Sequence, residues 1–321
     1  MKRPRAQLPE VRLHDPKLRY RRLIELSRGK PALATAVVHP CDRQSLGGAL
    51  SAAEAGLIRP VLLGPAKKML AAASELGVDL AAFEVMDVEH SHAAVVRAVE
   101  LARAGQVEAL MKGSLHTDEL MAEVVKADSG LRTARRVSHV FYMDLPSYPK
   151  PLLITDAAVN VEPDLEAKAD IVQNAIDLAL ALGIPDPKVA ILAAVETVNP
   201  KMRSTLDAAA LCKMAERGQI RGGILDGPLA FDNAVSFIAA KTKGIVSAVA
   251  GQADILVVPD LEAGNMIAKQ LEYLADAGTA GIVLGARVPV VLTSRADSVQ
   301  ARVASCAIAL LVARKAKPGA A

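Results

Sequence analysis

The chain has 321 residues, of which 52% are hydrophobic but only 2% aromatic, and it contains no tryptophan. So long a chain outgrows a single core and points to two lobes, and an interior of Ala, Val, Leu and Ile suits helices packed on parallel strands. The net charge of +3 is unevenly spread: residues 1–30 hold ten Lys or Arg against three acids, while the rest holds 28 basic and 32 acidic side chains.

The basic arm around Arg19, Tyr20, Arg21 and Arg22 has no aromatic interleaving, zinc pattern or RNP-like motif. No nucleic-acid partner is expected, and the arm reads as a frayed terminus leading into a solvated helix. Cys41, Cys212 and Cys306 are scattered, with no CxxC or Cys/His cluster, so neither a disulfide framework nor a metal site is expected. There is no run of eighteen uncharged apolar residues and no apolar block near Met1. A cytoplasmic protein without a membrane span follows as the expectation.

In chain order, apolar strands alternate with amphipathic helices. The first strand is expected at 34–39, followed by a turn at 40–43 and an Ala-rich helix opened by Ser45. Residues 60–63 form the next strand, closed by Gly64 and Pro65 before another helix. Further strands are expected at 83–88, 109–112 and 138–145, with helices from about Ala93 and about Thr117. Pro146, Pro149 and Pro151 forbid a continuing helix and mark a lobe boundary near 150. Beyond it, strands at 152–155, 189–194, 223–225 and 255–258 alternate with helices from about Asp164, Arg203, Phe231 and Ala263. This βαβ rhythm predicts an α/β fold of mostly parallel sheets with helices on both faces.

The last segment is the most pointed. GARVPVVLTSRADS at 285–298 holds an uninterrupted apolar run at 288–292, which reads as a buried strand ending at Thr293, Ser294 and Arg295. Asp297 with Gln300 three residues on is a variant capping box, so a helix to about Ala313 should start there, with its amide donors beside Ser294 and Arg295. A helix start, a hydroxyl and a guanidinium together suit an anion such as phosphate. A polar, frayed tail follows.

Other strand ends also carry polar clusters: 112–117, with Lys112, Ser114 and His116; 155–160, with Asp156 and Asn160; Asp226 with Gly227 and Pro228; and 259–265, with Asp260, Gly264 and Asn265. Each alone is consistent with turn chemistry. Their recurrence suggests one ligand-facing edge, because ligands collect outside the carboxyl ends of strands in open parallel sheets.

Taken together, MKGSLHT from Met111, TDAAVNVEPD from Thr155, LDGPLAFDNAV from Leu225, VVPDLEAGN from Val257 and PVVLTSRADS from Pro289 resemble the phosphate acetyltransferase/phosphate butyryltransferase family. AVVHPCD at Ala36 and EAGLIRPVLLGP at Glu54 resemble the phosphate-acyltransferase portion of proteins that fuse it to an enoyl-CoA hydratase-like domain, and no hydratase segment is present. The resemblance implies a two-lobed fold like that of isocitrate and isopropylmalate dehydrogenases. The first lobe would be 1–150 plus 286–321, the second 151–285, with dimer formation through the second and the active site in the cleft between them. It also implies interconversion of short-chain acyl-CoA and phosphate with acyl phosphate and CoA. CoA is then a substrate or product, and no metal or redox cofactor is involved.

On this resemblance Ser294 and Arg295 are the catalytic pair, with Arg295 holding phosphate and the Ser294 hydroxyl donating to the oxyanion that forms on the thioester carbonyl. Lys112, Ser114, His116, Arg132, Asp260, Gly264 and Asn265 are implied in substrate binding, and Asp156, Asn160 and Asp226 in ordering the cleft or the dimer. Gly264 would admit a ligand close to the backbone; an Asp-capped turn is the other reading of the same block, and the resemblance favours the ligand. Arg132, Arg135 and Arg136 suit either CoA phosphates or a solvated helix end.

Acetyl-type members carry an Asp seven residues after the Ser, proposed as the base for the CoA thiol, where this chain has Ala301. Their cleft arginines have no counterpart after His116, where Glu119, Met121, Ala122 and Glu123 stand. The general base is therefore unassigned. Two other classes stay open: an NAD-dependent oxidoreductase of the same architecture, and a non-catalytic CoA- or acyl-phosphate-binding protein. The chain has no GxGxxG at its first strand and no tight Asp triplet.

Overall fold

The computed structural model describes residues 20–315. The arm before Tyr20 and the tail beyond Lys315 lie outside the described residues. A short helix, α1 (Arg21–Ser27), leads into β1 (Leu33–Val38), whose six residues are all buried. The following helix α2 (Arg43–Glu54) starts two residues before Ser45, because Asp42 caps it by accepting the Ser45 N–H at 2.7 Å. β2 (Ile58–Gly64), α3 (Ala66–Leu76), β3 (Glu84–Asp87), α4 (Ser91–Arg103) and β4 (Ala109–Lys112) complete a parallel half-sheet in the order β3-β2-β1-β4. After α5 (Thr117–Val124), β5 (Ser138–Asp144) and β6 (Leu152–Thr155) pair antiparallel. The prolines at 146–151 thus make the turn between two paired central strands.

The second half contains α6 (Leu165–Ala181), β7 (Lys188–Leu192), α7 (Arg203–Glu216), β8 (Ile224–Leu229), α8 (Phe231–Val235), α9 (Phe237–Thr242), β9 (Ile255–Val257) and α10 (Leu261–Leu274). β6, β9, β7 and β8 are parallel to one another. The strand β10 (Gly278–Leu284) was not expected from the sequence, because Gly278, Ala280 and Gly281 give no strand pattern. All seven of its residues are buried, and a Cβ at Gly281 would collide with the Leu292 carbonyl and lie 2.9 Å from His139 Nε2. Small residues stand there because neighbouring groups leave no room. The strand expected at 288–292 shrinks to β11 (Val290–Val291), which lies between β4 and β10, and α11 (Val299–Ala313) closes the fold.

Among the described residues the strands form one mixed, mostly parallel sheet of eleven, in the order β3-β2-β1-β4-β11-β10-β5-β6-β9-β7-β8. Strand directions follow from the pairings. β1 to β4 and β11 run one way, while β6, β7, β8 and β9 run the other. Alternate residues of β1 divide between two cores. Leu33 and Val37 join a cluster that continues through both halves, with α2, α6, α7 and α11. Ala36 and Val38 join a cluster around α4 and α5 that also takes in Val283, Val290 and Leu292, and a third cluster gathers α8 to α10. One face of the sheet is packed continuously and the other is split between two clusters.

Candidate active site

Three strands of the first half end together. After β1, His39 adopts a left-handed φ of 55° and the chain turns through Cys41 into the capped start of α2. After β4 the chain passes so close to β1 that a Cβ on Gly113 would collide with the Val38 carbonyl, so glycine is required there. Ser114 is used to hold this junction: its Oγ donates to the His39 carbonyl at 2.9 Å and accepts the Cys41 N–H at 3.2 Å. Lys112 is buried, and its Nζ donates to the Leu115 carbonyl at 2.9 Å and the Gly113 carbonyl at 3.4 Å. Burial, then the charges of Arg302 and Arg295, push its pKa down to about 8. His116 is exposed at the start of α5 and provides no side-chain cap.

The third strand, β11, delivers Thr293, Ser294 and Arg295. Ser294 and Arg295 are exposed while Thr293 is buried. Helix α11 starts one residue later than the capping-box pattern suggested, because Ser298 Oγ accepts the Ala301 N–H at 3.1 Å. Asp297 instead closes the turn: its Oδ2 accepts the Ser294 N–H at 2.7 Å, and its own N–H donates to the Ser294 carbonyl at 3.2 Å. Burial raises the Asp297 pKa, against the lowering effect of that Ser294 bond. From inside α11, Arg302 reaches back beneath the turn. Its Nη1 donates to Thr293 Oγ1 at 2.7 Å and its Nη2 to the Ser294 carbonyl at 2.9 Å. Ser294 Oγ accepts the Ala296 N–H at 3.3 Å, which leaves the hydroxyl proton free to donate outward.

The remaining clusters do not join this edge. Ile282 of β10 faces Val291 on one side and Val140 on the other, and Val140 faces Thr155. Because β6 and β9 oppose β11, Asp156 lies four register positions below Ser294, roughly 13 Å along the strands. The single ligand-facing edge expected from the sequence is therefore two opposite edges. At the lower edge Asp156 is consumed by its own loop, accepting N–H bonds from Ala158, Val159 and Asn160 and one from Asn160 Nδ2 at 2.6 Å. Asn160 in turn accepts Arg136 Nε at 2.7 Å. Asp260 caps α10 through the Ala263 N–H at 2.8 Å, and Asn265 Nδ2 donates to the Ala157 carbonyl at 3.2 Å. A Cβ on Gly264 would lie 2.7 Å from Val258 Cγ2 and 2.9 Å from the Asp156 carbonyl. The protein's own backbone and Val258 thus approach closely at this glycine. Asp226, on edge strand β8, accepts the Gly227 N–H and is remote from β11.

Arg132 lines a cleft of about 640 Å³ with Arg136, Asn160 and Asp164, at the lower edge. Ser294 and Arg295 are not among its lining residues. Helix α10 links the two edges. Its first turn packs on Asp156 and Ala157, while Lys269 and Glu272 near its other end come within electrostatic range of Asp297. An element of the second half thereby borders the upper site.

An exposed hydroxyl with its proton free to donate, beside Arg295 and near buried Lys112 and Arg302, is suited to an anionic reaction. A model of the phosphate acetyl/butaryl transferase family matches residues 89–310, which include β4, β11 and most of α11. The chain belongs to this family. A phosphate acetyltransferase of Rhizobium meliloti is 62% identical over 297 residues, 92% of this chain and 94% of that one. A phosphate butyryltransferase of Clostridium acetobutylicum is 40% identical over 294 residues, 92% of this chain and 98% of that one. A branched-chain phosphotransacylase from Enterococcus faecalis superposes with a TM-score of 0.75 at 29% identity, covering 88% of this chain and 99% of the other.

Within this transferase family member, two neighbours of Ser294 escaped the sequence reading. Asp297 was read as a helix cap, and Arg302 looks like an ordinary helical residue. The available signal was spacing: Arg302 stands eight residues after Ser294 and one after Ala301, on the first turns of a helix known to start at the strand end. Ala301, where a carboxylate was looked for, is buried at 3% exposure.

Proposed function

We propose that the chain interconverts short-chain acyl-CoA and orthophosphate with acyl phosphate and CoA, at the edge where β1, β4 and β11 end. The observation that carries this reading is the Ser294 turn. An exposed hydroxyl, which accepts the Ala296 amide and keeps its proton free to donate, stands next to Arg295 with the buried cations Lys112 and Arg302 behind it. A phosphate oxygen attacks the thioester carbonyl carbon, a C–O bond forms, and the carbonyl oxygen takes up negative charge beside Ser294. Collapse restores the carbonyl and breaks the C–S bond. CoA leaves as a thiolate, a good leaving group because a thiol has a pKa of about 8.5. Arg295 holds phosphate by paired hydrogen bonds. No oxidation state changes, so the reaction as written needs no redox carrier.

Lys112 contributes charge behind the phosphate, while Ser114 and Asp42 shape the loops around it. Two lobes of the isocitrate dehydrogenase kind, 1–150 with 286–321 and 151–285, and a cytoplasmic homodimer belong to the same reading. The dimer is supported by an apolar surface on the second half, where Phe237 and Ile238 of α9 and Val246 are exposed. Among the described residues no helix is long and apolar enough to cross a membrane. The more similar of the two relatives above is named for acetyl transfer, which makes acetyl-CoA the first substrate to try.

The test follows CoA release from acetyl-, propionyl- and butyryl-CoA with phosphate or arsenate, using a thiol reagent. Release with at least one of them is expected. Silence with all three overturns the reading; NAD-dependent turnover would replace it with the oxidoreductase alternative, and CoA binding without release with a carrier role.

A further inference from the structure

We infer that Arg302 is a positioning residue that sets the Ser294 turn for catalysis, an inference that rests on the acyl-transfer reading above. Arg302 is 2% exposed, yet among the described residues it has no carboxylate within 4 Å. Its Nε has no hydrogen-bond partner. A buried guanidinium without a paired carboxylate is costly, and an apolar residue of similar size would serve packing better. The surroundings are nevertheless fitted to it. A Cβ on Gly48 of α2 would collide with Arg302 Cδ, so α2 leaves its stem a channel. At the far end both donating nitrogens are spent on adjacent residues, Thr293 and Ser294, and not on α11 or α2.

The consequence is a clamp on Ser294 from two sides. Arg302 holds the Ser294 carbonyl, and Asp297 holds the Ser294 N–H. With both main-chain groups fixed, the side chain projects at one angle toward solvent, and the Ala296 amide orients its hydroxyl. Arg302 itself is too deeply buried to touch substrate. It acts through Ser294 and through the positive potential it shares with Lys112. A small displacement of a group aimed at a developing oxyanion is expensive in rate, on the order of 100-fold per ångström.

Three variants test this in the full chain. Arg302→Lys keeps the charge but replaces the planar two-nitrogen fork by a single nitrogen on a shorter stem, and is expected to lower kcat by about tenfold to 100-fold while the KM for phosphate changes less than about threefold. Arg302→Ala should lose more and regain part of its kcat on addition of guanidinium, but not of sodium chloride at equal ionic strength. Gly48→Ala retains the arginine but crowds its stem, which shifts the guanidinium off Thr293 and Ser294, so the same split between kcat and KM is expected even if Arg302→Ala does not fold. Far-UV circular dichroism fixes the folded fraction used for kcat. If wild type releases no CoA from any acyl-CoA, the acyl-transfer reading falls and this inference with it. If wild type turns over while Arg302→Lys and Gly48→Ala match it in kcat, or guanidinium rescues nothing, this inference alone falls.

Discussion

Arg295 is exposed and makes no ion pair among the described residues, so its guanidinium is free to engage a ligand. Arg295→Ala should therefore raise the KM for phosphate at least tenfold, by about one charge-assisted pair of hydrogen bonds, and leave the melting temperature unchanged. Equal effects on the KM values for phosphate and acyl-CoA would refute a phosphate-specific role. His139 carries a prediction of the opposite kind. It is fully buried against Phe141, ring centroids 4.4 Å apart. Burial pushes its pKa down to about 4, with Asp156 pulling the other way. The unfolded chain, with the ordinary value near 6.5, takes up the proton first as pH falls. Its contribution is thus complete above about pH 6.5 and is lost progressively toward pH 4. Urea unfolding of wild type and His139→Gln at pH 7 and pH 5 measures this, and a wild type whose pH sensitivity matches the variant would contradict it.

Among the elements, α10 is held to the lower edge by three local devices: the Asp260 cap, the Asn265 bond to Ala157 and the absent side chain of Gly264. If Gly264 serves packing, as its contacts with Val258 and the Asp156 carbonyl require, Gly264→Ala should cost about 1–3 kcal/mol of stability by overpacking. At equal folded fraction its KM values should be those of wild type; a selective loss of affinity for CoA or phosphate would return this glycine to the binding site. Helix α11 is the element on which the proposed chemistry depends most. Its cap, Ser298, and its reaching side chain, Arg302, lie on either side of Ala301, and all three fall within the first turns after the Ser294 loop. Introducing a carboxylate at Ala301 would bury it, so Ala301→Asp should destabilise the fold rather than supply the missing base, as a thermal melt would report.

At the scale of the whole molecule, one sheet spans both halves while its packing is continuous on one face and divided on the other. That division leaves the second half with an apolar surface of its own at Phe237, Ile238 and Val246. Sedimentation of wild type should give a dimer, and Ile238→Glu should shift it to monomer with the secondary structure intact; a monomeric wild type would remove the support for an interface there.

The amino-acid sequence alone determined the alternation of strands and helices, the polar groups at strand ends and the family resemblance. All three are written in residues close together along the chain, as periodicity, turn chemistry and motif order. Tertiary structure decided what depends on which segments meet. The strand β10 is made of glycine and alanine because Leu292 and His139 crowd it, a constraint no local pattern contains. The opposed directions of β6 and β11 separated Asp156, Asp260 and Gly264 from Ser294, although a sequence read in order sets them all at equivalent strand ends. Arg302 acquired its place beneath Ser294 only when α11 folded back against Gly48 of α2, more than 250 residues earlier in the chain. A buried charge is legible only once its surroundings are known, since its cost and its use are both set by neighbours distant in sequence.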